Sequence, residues 1–165
     1  MHLAVPKILF VLPRRVWCPV ELRPLVLPAI DKWNGLRAGL FVAVTDQDAE
    51  VRVEWGAQTW VEMPIASSRS VLHWGETRAD RDYWMAHEIG HTLGLGDHVW
   101  VGIPNFDKYV NPQVDSIDDG GRYRGVMSYL SPPEEWFGPD DIGGLRRFFP
   151  LAHRLVIPGI AAGGA

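Results

Sequence analysis

His87-Glu88-Ile89-Gly90-His91-Thr92-Leu93-Gly94-Leu95-Gly96-Asp97-His98 gathers two imidazoles, a carboxylate and two further candidate ligands into one short stretch. On a helix, residues four apart share a face, so His87 and His91 can both aim a ring nitrogen at one ion about 2 Å away. Glu88 stands beside them without being a ligand. A carboxylate there suits a general base acting on water that a bound zinc ion acidifies. The expectation is a hydrolase with Zn2+ as its cofactor. Gly94 comes three residues after His91, where a left-handed glycine ends a helix and redirects the chain. A third ligand must then lie just beyond. Asp97 sits ten residues after His87, and His98 is the alternative, because a one-residue adjustment in this glycine-flanked loop swings it to the ion instead.

Two later segments extend the pattern. Gly125-Val126-Met127-Ser128-Tyr129 follows downstream, and Gly138-Pro139-Asp140-Asp141-Ile142-Gly143-Gly144-Leu145-Arg146-Arg147-Phe148-Phe149 carries the signs of a closing helix. Pro139 suits the first helical position, Asp140 and Asp141 favour the positive end of the dipole, and Ile142, Leu145 and Phe149 repeat at three to four. These aspartates read as structural, with catalysis or calcium binding as the lesser alternative.

With the run from His87 to Asp97, these segments resemble the metzincin clan of zinc peptidases. The aspartate in place of the clan's last histidine is similar to the small secreted bacterial neutral proteases of the snapalysin type. The resemblance implies an α+β, zincin-type fold: a twisted, mixed, mostly parallel sheet with an active-site helix, a Met-turn and a C-terminal helix. It implies a zinc endopeptidase acting on protein or peptide substrates, with Glu88 as general base. Met127 becomes the Met-turn residue, its thioether packed beneath the imidazoles without binding the ion. Tyr129 is either an extra ligand or transition-state donor, as in astacin-like and serralysin-like members, or a packed tyrosine. In the clan the specificity wall follows the Met-turn, here Leu130–Phe137, with Trp136 and Phe137 shaping the substrate pocket. The rival reading is a zinc-bearing structural or binding protein, such as a virion component, without peptidase activity. Glu88 speaks against it, since a purely structural zinc needs no base and closes its fourth position with another ligand.

Composition fits a single catalytic domain over residues 1–158 with a flexible tail at 159–165. With 165 residues, 47% of them hydrophobic, the chain is long enough to bury a real core. Sixteen basic against twenty acidic side chains give a net charge of -4, and Arg14-Arg15 and Arg146-Arg147 are isolated pairs, so nucleic acid is not an expected partner. The expectation is a monomer. Cys18 is the only cysteine, which rules out an intrachain disulfide and reads as a small buried residue. The apolar run Ile8–Leu12 is too short for a signal core or a membrane span and reads as a first strand. Either the chain has no classical export signal or signal and propeptide have been removed, and the resemblance leans towards secretion.

Between these landmarks Leu22, Val26, Ile30 and Trp33 recur at helical spacing, and Gly35 and Gly39 close the segment. Pro24 fits its start. Pro28 predicts a kink or an early end. Residues 39–45 and the alternating Val51, Val53 and Trp55 predict two strands that pair with each other, and residues 59–63 and 70–74 two more, one of them the edge beside the cleft. Asp80 or Asp82 caps the next helix, which runs to Leu93. Residues 100–124 read as a long loop in which Asp115, Asp118 and Asp119 can hold calcium, although no spacing there matches a known calcium loop.

Overall fold

The computed structural model describes residues 11–62, 69–75, 80–95, 98–99, 115–116, 126–127, 137 and 145. Strand β1 (Arg14–Trp17) alternates in burial, so Arg14 and Val16 turn into the core and Arg15 and Trp17 away from it. This strand begins later than the apolar run Ile8–Leu12 predicts: Leu12 lies in a bend, and residues 8–10 fall outside the described residues. Pro13 accounts for the offset, because it has no N–H for a ladder. Pairing opens with the Arg14 amide, which donates to Leu40 O at 2.9 Å.

A single 3-10 turn, Val20–Leu22, leads into helix α1 (Arg23–Leu36), whose buried stripe is Val26, Ala29, Ile30 and Trp33. Pro28 lies inside this helix and does not shorten it. Pro24 and Pro28 are both exposed, so the carbonyl that loses its helical donor lies on the solvent side, where water serves it. Near the end of α1, Asn34 sets the start of strand β2 (Phe41–Ala43). Its Oδ1 accepts from the amides of Leu40 and Phe41 at 3.1 and 3.0 Å, and its Nδ2 donates to Phe41 O at 2.9 Å.

Strands β3 (Val51–Trp55), β4 (Trp60–Glu62) and β5 (Ser70–Trp74) complete a five-stranded sheet in the order β2-β1-β3-β5-β4. Three pairings are parallel, and only β4 runs antiparallel, on the outside of β5. Of the two strands predicted over 59–63 and 70–74, β4 is therefore the edge. The predicted pairing of β2 with β3 does not occur. α1 carries the chain from β1 back to lay β2 beside it, and β3 takes the other side of β1. Trp55 also departs from the alternation. It ends its strand 47% exposed, while Val51 and Val53 are fully buried.

Helix α2 (Arg81–His91) packs on α1, with Trp33 Nε1 donating to Ala86 O at 2.8 Å. Both helices share one core with Val16, Val51, Val53, Leu72 and Trp74 from the inner face of the sheet. Asp80 occupies the N-cap of α2 in a left-handed conformation (φ 58°), and its side chain makes no capping bond. Asp82 lies in the first turn, where its charge suits the dipole. The helix ends at His91, two residues before Leu93. β7 (Asp115–Ser116), within the stretch predicted as loop, pairs in parallel with β6 (His98–Val99), just before it, with His98 opposite Asp115. Asp118 and Asp119 lie outside the described residues. Leu145 is helical and fully buried where the closing helix is predicted, and the rest of that segment lies outside the described residues. Among the described residues no helix is long and apolar enough to cross a membrane. Among the described residues the architecture is α+β, a mixed five-stranded sheet with helices α1 and α2 on one face and a separate two-stranded pair.

Candidate metal centre

α2 buries Tyr83, Met85, Ala86, Ile89 and Gly90 together with His87 and Glu88. The four-residue spacing sets the rings of His87 and His91 at right angles, with centroids 4.8 Å apart. Each ring is fixed at its Nδ1. That of His87 lies 2.7 Å from Val126 O, and that of His91 lies 2.7 Å from Leu95 O. A backbone carbonyl can only accept, so in both rings Nδ1 carries the proton and Nε2 presents its lone pair. The two Nε2 atoms are 3.2 Å apart. Two lone pairs at that separation repel unless a cation or a proton lies between them. Two nitrogen ligands of a tetrahedral zinc, each about 2.0–2.1 Å from the ion, stand roughly 3.3–3.4 Å apart. The pair therefore fits a zinc ion in spacing and in tautomer.

The turn after α2 completes this arrangement. Leu93 N donates to Gly90 O at 3.0 Å and Gly94 N to His91 O at 2.8 Å. Gly94 has φ 75°, the left-handed conformation predicted for it, and this reverses the chain so that Leu95 O meets the His91 ring. Asp97 lies outside the described residues. His98 opens β6, and its side chain is likewise outside them. Among the described residues no group of three His, Cys, Asp or Glu side chains converges on one point.

Met127 is fully buried in the shared core, and its neighbour Val126 supplies the carbonyl that fixes His87. Met127 Sδ lies against Gly90. A Cβ there would meet that sulfur and, at 2.7 Å, Trp33 Cζ2. Glu88 as a residue is 7% exposed, and its carboxylate oxygens are not among the buried polar atoms left without a partner. Trp84, which the motif does not mark, sets its ring edge-on to His87 at 5.2 Å and walls one side of the site. Its only signal in the sequence is its place one helical turn before His87. Phe137 packs edge-on against Trp33 with centroids 4.9 Å apart, at the rim of the core. Tyr129 and Trp136 lie outside the described residues.

The chain matches no model of a known protein family and no curated protein.

Proposed function

We propose that this protein is a zinc-dependent endopeptidase with a metzincin-like fold. The observation that carries the reading is the pair of Nε2 atoms 3.2 Å apart in rings whose Nδ1 atoms are both bound to carbonyls. His87 and His91 hold the ion with Asp97, or with His98 in its place. When bound, zinc supplies a Lewis acid that acidifies water and polarises a peptide carbonyl. Glu88, beside the pair on the same helix, takes the proton from the attacking water and passes it to the leaving amine. Met127 and Trp84 keep the rings in place. Tyr129 serves as a further donor near the reacting carbonyl, and Trp136 and Phe137 contribute to the substrate pocket.

The sheet supports the same reading. Among the described residues β4 is an edge strand with its partner β5 on one side only. An extended peptide that adds to its free side finds unpaired N–H and C=O groups, a recognition mode that requires no particular side chain.

Zinc content and casein hydrolysis, measured for wild type and Glu88→Ala with and without a chelator, test the proposal. One zinc per chain in both proteins, with cleavage by wild type alone and its loss on chelation, is the expected result. Stoichiometric zinc with no cleavage of casein or of a peptide library by either protein replaces the peptidase with the zinc-binding structural protein. No zinc in either overturns both.

A further inference from the structure

Arg14 is fully buried on β1, and its side chain runs to the far end of α2. Its guanidinium donates, among the described residues, to Thr92 O, to Ser70 Oγ at 3.4 Å and to Glu50 O at 3.2 Å. Thr92 directly follows His91 as the C-cap of α2, and its own Oγ1 donates back to Ile89 O at 2.6 Å. A cation there faces the negative end of the helix dipole and serves a carbonyl that the helix leaves without a donor. Burial draws the Arg14 guanidinium down to about 10, against a smaller upward pull from Glu50, so the group stays charged at neutral pH. Burying a cation is costly, and an aliphatic side chain would fill this part of the core at less expense. Part of its compensation lies at the end of α2.

We propose that Arg14 is a positioning residue of the metal centre. By holding Thr92 O it fixes the turn from Thr92 to Leu95, and through Leu95 O the tautomer and aim of the His91 ring. The sheet, not the helix alone, thus determines where His91 points. Partners that orient a ligand from outside the coordination sphere typically change metal affinity by roughly 10–100-fold when removed. This inference rests on the metal-site reading above.

The test uses the full chain as wild type, Arg14→Met and Arg14→Lys. Zinc affinity is measured by competition with a chromophoric chelator, and local stability by amide exchange in metal-free protein. Arg14→Met is expected to lose roughly tenfold or more in zinc affinity. The Leu93 and Gly94 amides, which close the turn, are expected to exchange faster while amides in the middle of α2 do not change. Arg14→Lys, which keeps the charge but not the fork, falls between. Arg14→Met with wild-type affinity and wild-type turn protection overturns the proposal and leaves the metal site intact. If Arg14→Met does not fold, Arg14→Lys decides: an intermediate zinc affinity supports the positioning role, and wild-type affinity assigns Arg14 to the fold alone. A wild type that binds no zinc removes the metal-site reading and this proposal with it.

Discussion

Gly90 is where helix propensity and packing disagree. A glycine inside a helix costs roughly 1 kcal/mol relative to alanine, so propensity alone favours replacing it. The structure opposes that, because a Cβ at this position would stand 2.7 Å from Trp33 Cζ2 and closer still to Met127 Sδ. The thioether can bend. The indole cannot follow easily, since its Nε1 is bound to Ala86 O and Phe137 packs against its ring. Overpacking of this kind typically costs 1–3 kcal/mol, which exceeds the propensity gain. Gly90→Ala is therefore expected to lose about 1–2 kcal/mol in urea unfolding of the metal-free protein. A gain in stability would show that Met127 yields freely and does not brace the helix. Local spacing made His87, Glu88, His91 and Gly94 legible in the sequence. The partners that fix the imidazoles were not legible, because they are the backbone carbonyls of Val126 and Leu95, and a carbonyl leaves no mark in a residue pattern. Arg14 was hidden for a related reason: nothing distinguishes two adjacent arginines until strand alternation sends one inwards.

At the scale of elements, periodicity located both helices and most strands, because burial on one face writes itself into the chain at 3.6 or 2 residues. It did not give their neighbours. That β1 lies between β2 and β3, and that β4 is the edge, depends on how α1 returns the chain, not on the composition of either strand. The pair β6 and β7 was missed because two residues are too few to show a period. Pro28, expected to kink or end α1, lies inside the helix on its exposed face. The lost donor and the ring clash still have a cost there, about 3 kcal/mol in a typical helix interior, partly offset by the freedom that proline removes from the unfolded chain. Pro28→Ala is expected to stabilise the protein by roughly 1–2 kcal/mol in urea unfolding, with zinc affinity unchanged. A destabilised variant would mean that the rigid ring at 28 contributes more to ordering α1 than the missing hydrogen bond takes away.

Across the whole molecule the sheet separates two environments. Its inner face carries the core and, through Arg14, reaches the C-terminal end of α2, while its outer face is polar and aromatic. There Arg52 pairs with Glu54 at 2.5 Å and lies over the Trp17 ring, and His73 stacks on Trp60 and meets Glu62 at 2.9 Å. Arg15 binds the connection between β2 and β3 to β1, with Nε 3.1 Å from Glu50 Oε2 and Nη2 2.6 Å from Asp48 O. Burial pushes the Glu50 carboxyl upwards, but the hydrogen bond from the Arg15 side chain, backbone hydrogen bonds and the Arg15 charge outweigh it, so the group titrates below its ordinary value. A carboxyl held lower in the folded than in the unfolded chain contributes stability that is fully present above the unfolded value, about 4.3, and is lost as the pH falls through the folded one. Glu50→Gln is therefore expected to unfold at a lower temperature than wild type at pH 7. The difference should narrow steadily below about pH 4, where wild type loses the same charge. Thermal unfolding of both proteins across that range provides the check. A gap that stays constant into acid would mean that Glu50 acts through the shape of its hydrogen bonds to Arg15 and not through its charge.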